Sequence, residues 1–352
     1  MILDAAAYIE ALARRGLLAE GAGLAEHNLG VWREYLARYA DFVAPLDDIT
    51  VLMTPSGLGL YEDPLNDTGL HEWALLGPIS HGLLPWSARE LMAGIAELPA
   101  CFAEAGLGPA RVRTDTFTCA GPIDPSLARH FLWIRSPRAR GFGDFERYLA
   151  SLTHDRRKDL RAMIRRFDSL ESLRLELSGR PPDAAETRLI LDHAHARWQA
   201  DAPYAVAQWA WPMAIASALP EKVWFMRVFW QGSLALLAAY VLRGEVAICQ
   251  ATCRLDTESL PGIGGFVDAA LLRQLGAGPV QVVDPTCRTG VEDTPNIWVS
   301  KRRLVNEDME WPTLLVQSEA PVIPELDGVA PYFHPDRGWI LPADRAVIGR
   351  PA

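Results

Sequence analysis

The sequence predicts an α/β (α+β) protein in which mixed, mostly antiparallel sheets are flanked by helices. Three observations carry this. The chain has 352 residues, 49% of them hydrophobic and 22% charged, which is enough for two globular units with their own cores. The run Ser136-Pro-Arg-Ala-Arg-Gly-Phe-Gly143 is punctuated by Pro and Gly and reads as a linker between them. After it, three apolar strands separated by tight turns define a meander. The boundaries that follow are 1–135 for the first domain, 136–320 for the second and 321–352 for a tail.

In the first domain, residues 4–39 read as two helices broken near Gly21–Gly23, with Leu24, Leu29, Trp32, Tyr35, Leu36 and Tyr39 as an apolar stripe at helical spacing. Asp48–Thr54 and His71–Ile79 are strand candidates, the former ended by Pro55-Ser-Gly57. Ser87 and Glu90 have capping-box spacing and open a helix through Leu91, Ile95 and Leu98 to about Gly106. Arg111–Phe117 and Phe131–Ile134 complete the domain as strands.

Past the linker, Phe145–Leu152 is a helix, and Thr153 or Asp155 caps a basic second one, HDRRKDLRAMIRRF, with Leu160, Met163, Ile164 and Phe167 on its buried face. Leu173–Leu177 alternates as a strand does, and Asp183–Gln199 is an amphipathic helix. The meander is Val223–Trp230, Leu234–Leu242 and Val246–Leu255, joined by Gln231-Gly-Ser233 and Arg243-Gly-Glu245. Then come a glycine loop, a helix over about 265–275 and a strand Val280–Asp284. Ile297–Lys301 and Leu314–Val316 are candidate edge strands, and the Pro-rich tail beyond Glu319 is expected to wrap the surface.

The net charge of −10 is uneven: Arg135–Arg166 holds ten Arg or Lys against four Asp or Glu. Such a window fits a local anionic partner, or a solvated helix face. The five cysteines form no CxxC pair and read as reduced thiols of a cytoplasmic protein. The N-terminus lacks the basic start and apolar run of a signal peptide, and no apolar run is long enough to span a membrane. His193 and His195, two apart on a helix, face different ways, so no metal site is predicted. Cys249 and Cys253 share a strand face by parity, and Trp198, Trp209 and Trp211 form an aromatic cluster that suits a core or an acceptor pocket.

The stretch SLPGIGGFVDAALLRQLG, 259–276, raises the question of function. Bare N–H groups at a helix start suit an anion. A dinucleotide loop needs a third glycine where Val267 stands and a strand directly before the first, whereas a polar, Pro-containing segment precedes Gly262 after an antiparallel meander. Glycines that only permit a tight entry and close packing are the plain structural alternative.

The order meander, glycine loop, helix, strand resembles the acyl-carrier-binding core of GCN5-related N-acetyltransferase (GNAT) proteins. FERYLASLTHDRRKDLRAMIRRF, LRLELSG, the helix ending HARW, GSLALLAAYVLRGE, PGIGGFVDAALLRQLG and VQVVDPT together resemble its CelD-like and Fem-type branch, in which two GNAT-like halves are joined. The resemblance covers about Phe145–Asn306; the N-terminal half matches in element order. It implies an N-acyltransferase that moves an acyl or aminoacyl group to an amine of a small metabolite or envelope precursor. Acyl-coenzyme A or an aminoacyl-tRNA is the co-substrate, and no cofactor is tightly bound. Gly262, Ile263, Gly264 and Gly265 map to the loop whose N–H groups hold the carrier's pyrophosphate, although Ser259, Leu260 and Pro261 stand where the family carries Arg or Gln. Asp284 and Lys301 map to the branch's strand-end acid and following lysine, with Pro285 where it has Gly. Asp284 would then orient or deprotonate an amine, or else pair with Thr286 or Arg288. Lys301 would neutralise a phosphate or carboxylate. Tyr240 and Gln250 face the cleft in this reading, or belong to the core. Within the Arg156–Arg166 helix, Arg157 and Arg161 are the residues for a tRNA or nucleotide phosphate. The alternatives are a catalytically degenerate binding or scaffold module, for which the departures at 259–261 and 285 argue, and a nucleotide-dependent oxidoreductase.

Overall fold

The structure is a computed structural model that describes residues 1–21, 25–38, 50–62, 72–75, 88–106, 111–113, 131–198, 202–256, 258–276, 278–285, 303–317, 332–334, 338–340 and 347–349. The chain divides into two compact units: Met1–Ile134 with Gly290–Glu292 and Glu310–Ala352, and Arg135–Thr289 with Asp293–Met309.

In the first unit, β1 (Ile2–Asp4) leads into α1 (Ala5–Arg14), whose start is capped by the Asp4 carboxylate accepting from the Ala7 N–H at 2.7 Å. Next come α2 (Leu29–Arg38), β2 (Thr50–Met53), β3 (Gly59–Glu62), β4 (Glu72–Leu75), α3 (Ala88–Glu104) and β5 (Arg111–Arg113). β1 to β4 pair antiparallel in sequence order, and β4 pairs parallel with β5 across α3. β3 goes beyond the predicted elements. Gly59 is required there, because a Cβ would stand 2.2 Å from the Tyr8 ring of α1.

The second unit begins within β6 (Phe131–Arg140) and continues through α4 (Phe145–Ser151), α5 (His154–Asp168), β7 (Leu173–Ser178), α6 (Ala184–Trp198) and α7 (Ala202–Ala218). The meander strands are β8 (Val223–Trp230), β9 (Ser233–Arg243) and β10 (Val246–Arg254), followed by α8 (Ile263–Leu275) and β11 (Val282–Asp284). The two-residue hairpin turns fix the antiparallel β8–β9 and β9–β10 registers. β7 pairs antiparallel with β8, and β11 lies between β10 and β6. One sheet face packs Leu236, Ala238, Tyr240 and Ala247 against Leu160, Ile164 and Phe167 of α5 and Phe266, Ala270 and Leu271 of α8. The other face bears Arg227, fully buried, whose Nε and Nη2 donate to the Glu186 carboxylate of α6 at 2.7 and 3.0 Å. Glu186 also accepts from the Asp183 N–H while Asp183 accepts from the Glu186 N–H, a reciprocal cap.

Several expectations need correction. The linker at 136–143 is largely strand: β6 runs through Pro137 to Arg140 and pairs with β11, and Asn306 bonds both the N–H and the C=O of Arg140. α7 escapes the sequence reading because it is apolar all round and contains Pro212, so no amphipathic period marks it. β10 and β11 are parallel across α8, although an antiparallel meander feeds the loop. Cys249 and Cys253 lie on opposite faces, since Cys249 sits across from Tyr240 and Cys253 from Leu237 with Gln250 inserted as a bulge. The strand expected at Leu314–Val316 is part of β12 (Glu307–Gln317), which pairs with β5 through Leu315–Gln317 and lies inside the sheet order rather than at its edge, while in the tail β13 (Tyr332–His334), β14 (Gly338–Ile340) and β15 (Val347–Gly349) form an antiparallel sheet. The short runs YFH, GWI and VIG are enough for this once paired with one another.

Candidate functional site

The second unit is built around the divergence of β10 from β11. The pair is in register at Val246 with Val282, Ala247 with Val283 and Ile248 with Asp284. β11 ends there, while β10 bulges at Gln250 and runs on to Arg254. The Leu255 N–H donates to the Ala235 C=O at 2.8 Å, which fixes the ladder parity. Thr252 and Arg254 therefore turn their backbone groups away from β9, toward the side that β11 has left. No strand among the described residues pairs there.

At the end of β10 the chain enters α8. Leu260 and Ile263 are buried anchors, and Gly262 between them has φ 88°, a left-handed conformation natural only to glycine. The Ile263 N–H donates to the Leu260 C=O and the Gly265 N–H to the Gly262 C=O. Among the described residues, the Gly262 and Gly264 N–H groups have no acceptor. Arg254 comes back over this turn: a Cβ on Gly264 would stand 2.9 Å from its Nη2 and 3.1 Å from its Nε. The guanidinium makes no ion pair among the described residues, so a full positive charge lies beside the positive end of a 13-residue helix. Sequence reasoning sought a cation immediately before the glycines; the signal that finds Arg254 is a strand-end arginine whose return brings it onto them.

Asp284 is 5% exposed and accepts from Nε of Arg138 at 3.1 Å. One partner is thus a residue of β6; Thr286 and Arg288 lie outside the described residues. Burial holds the Arg138 guanidinium below its ordinary range, and the charges of Asp284 and Glu307 partly restore it. Tyr240 is fully buried and donates to Asp268 Oδ1 at 2.7 Å, joining the middle of β9 to α8 one turn past Gly264. Burial, with the nearby Asp268 charge, pushes the Tyr240 phenol well above its usual value. Ala139, Ala247 and Val283 belong to the core on the α8 side. By strand alternation, Asp284 and Arg138 face the opposite side of the sheet from Tyr240. The structure therefore does not bring Asp284 and Tyr240 together.

The basic helix α5 lies against α8. Phe167 stacks on Phe266 with ring centroids 4.4 Å apart, Asp168 pairs with Arg273, and Met163 Sδ is 3.7 Å from where a Cβ on Gly265 would stand. Arg161 is tied to Glu146 at 2.6 Å, and Arg156 donates to the Val305 C=O. Arg157, Lys158 and Arg165 have no ion-pair partner among the described residues. Lys301, Cys119, Cys287 and the strand expected at 297–301 lie outside the described residues, as does Ser87. Among the described residues, no group of His, Cys, Asp and Glu is placed to hold a metal, and no helix is long and apolar enough to cross a membrane.

The class defined by this unit is a mixed α/β fold with a mostly antiparallel sheet, a bulged meander strand and a parallel partner reached through a glycine-capped helix. Several solved structures are similar to this chain over most of its length. They include a C-terminal DUF2156 domain assigned to a lysylphosphatidylglycerol synthetase of Agrobacterium fabrum, with 11% identity, 89% of this chain and 92% of that one covered, and a TM-score of 0.49. L-PGS from Bacillus licheniformis has 10% identity over 86% of this chain and 96% of that one, with a TM-score of 0.48. A tandem GNAT protein from the clavulanic acid biosynthesis pathway has 14% identity over 78% and 80%, with a TM-score of 0.39. No family model and no curated protein matches the chain.

Proposed function

We propose that the second unit is an acyltransferase of the GNAT kind that transfers an acyl or aminoacyl group from a phosphate-bearing donor to an amine. The observation that carries this is Arg254 lying over Gly264 where α8 opens beside the unpaired edge of β10. The donor's phosphates would rest on the Gly262 and Gly264 N–H groups and the Arg254 guanidinium, with Ile263 and Gly265 shaping the turn. The acyl carbonyl would lie along β10 past the Gln250 bulge, where backbone N–H groups such as that of Thr252 serve its developing oxyanion. The amine attacks the carbonyl carbon. As the C–N bond forms, the C–S bond of a thioester or the C–O bond of an aminoacyl ester breaks, and the leaving sulfur or oxygen takes up the amine's proton. Asp284, held by Arg138, orients the incoming ammonium in this reading and takes the proton it must lose before attack; Tyr240 keeps α8 in place through Asp268, and Lys301 neutralises an anionic group of a substrate.

Two donors fit this chemistry. The charged face with Arg157, Arg161 and Lys158 on α5 favours an aminoacyl-tRNA, whereas the loop alone suffices for acyl-coenzyme A. Thermal stability is measured with acetyl-coenzyme A and with charged tRNA. A donor at 100 times its dissociation constant should stabilise the protein by about 2.7 kcal/mol. A shift with neither removes the transferase reading. One observation favours the non-catalytic alternative, namely that Asp284 and Tyr240 are both engaged inside the protein. A donor that binds without turnover against a panel of amines would support it.

A further inference from the structure

β7 ends the sheet of the second unit, with β8 on one side and no strand among the described residues on the other. The Gln231 N–H donates to the Ser172 C=O at 3.2 Å, so in the β7–β8 ladder Ser172, Arg174, Glu176 and Ser178 turn their backbone groups toward β8. The tight β8–β9 turn gives the same parity, because Trp230 pairs with Ser233 and so bonds toward β9. The backbone groups of Leu173, Leu175 and Leu177 point outward. The Leu173 N–H is taken by the Leu170 C=O, while those of Leu175 and Leu177 have no acceptor among the described residues.

Exposed edges of this kind are usually blunted by proline, a bulge or an inward charge. LRLEL has no proline, and β7 pairs with β8 without a register shift. Its three leucines are only partly buried against the α5–α8 core, which leaves apolar surface beside the open edge. Arg174 and Glu176 project on the other face, where Arg174 also lies 4.3 Å from the Phe229 ring centroid.

We propose that this edge is a self-pairing surface, on which two copies of the chain join their sheets through antiparallel β7 strands about a two-fold axis at Leu175. The register follows from elimination. A two-fold antiparallel pair that uses the outward groups must set odd residues against odd ones, so its centre falls at Arg174, Leu175 or Glu176. Centring on Arg174 sets that arginine against itself, and centring on Glu176 does the same for the glutamate. Only Leu175 puts Arg174 of each copy opposite Glu176 of the other, with Leu173 opposite Leu177. Those charged pairs fall at non-hydrogen-bonded positions, where side chains approach most closely. The partner is thus a second copy, chosen by charge.

The test is the oligomeric state by sedimentation equilibrium across a wide range of protein concentration, on wild type, Arg174→Glu, Glu176→Arg and the double swap. The expected result is a wild-type dimer whose dissociation constant rises roughly tenfold or more in each single variant, since symmetry turns both pairs repulsive. The double swap restores it. Far-UV circular dichroism confirms that all four proteins are folded. A wild-type monomer throughout, or a dimer indifferent to both single variants, overturns the proposal.

Discussion

Arg254 closes over Gly264: its Nη2 stands 2.9 Å from the place a Cβ would take, so the glycine and the guanidinium form one surface. The atom in the way is the far end of a flexible side chain. Gly264→Ala should therefore fold with little loss, while moving the cation off the helix start. Arg254→Gln removes the charge and keeps the stem. For an anionic donor, each variant is expected to weaken binding by about 10- to 100-fold, the value of a charge-assisted hydrogen bond. Calorimetric titration with the donor checks this, with thermal melting as the folding control. Unchanged affinity in both variants would place the donor elsewhere.

Arg138 and Asp284 test a different link, between strand pairing and chemistry. Both side chains are nearly inaccessible, at 5% and 7%. Arg138→Leu leaves a carboxylate buried without its guanidinium and should cost about 3–5 kcal/mol in urea unfolding. Asp284→Asn keeps the shape and a neutral acceptor, so it should cost less than Arg138→Leu. In the transferase reading it also lowers turnover without changing donor affinity. A stable, fully active Asp284→Asn protein would make the pair purely structural.

The parts of the molecule legible in the sequence are those with a local signal. The turns at Gln231-Gly232 and Gly244-Glu245 announced the meander, and the stripe Leu160, Met163, Ile164 and Phe167 announced α5. The first part of β6 is legible as Phe131–Ile134, but its continuation is hidden by Pro137 and by Arg138 and Arg140, which look solvated until Asp284, Glu245 and Glu307 are folded beside them. α7 was hidden by an absence of pattern, because a helix that is apolar all round has no period. The bulge at Gln250 defeats parity outright: it shifts every residue beyond it to the other face, as Cys253 shows. At the candidate site the glycines were evident, but their cation, Arg254, stands ten residues earlier in the sequence and is brought onto Gly264 only by the fold.

Tyr240 and Asp268 make a third prediction, on stability. The phenol is fully buried and supplies a 2.7 Å hydrogen bond to a carboxylate inside the core. Tyr240→Phe removes the hydroxyl and little volume, leaving Asp268 one donor short at a cost of about 1–3 kcal/mol. Asp268→Asn combined with Tyr240→Phe should cost less than the sum of the two single changes, because the pair is lost only once. Chemical unfolding of the three variants decides it; strict additivity would mean the two side chains are not coupled.

The last prediction concerns acid. Glu186 is buried against Arg227; burial alone would raise its pKa, but hydrogen bonds from the Arg227 guanidinium and the Asp183 N–H, with the Arg227 charge, outweigh this and hold it below the usual value. A carboxyl whose pKa is lower in the folded state binds its proton more readily in the unfolded chain, where glutamate titrates near about 4.3. Its stabilisation is therefore complete above that value. It is lost as pH falls from there through the folded pKa, and below both values no further loss comes from this group. Glu186→Gln should destabilise the protein near neutral pH, since Arg227 is fully buried and loses its counter-charge. The gap between variant and wild type should then narrow as pH falls below about 4. Urea unfolding of both proteins along that pH series measures the gap directly, and a gap that stays constant would show that the Glu186–Arg227 pair contributes nothing to acid sensitivity.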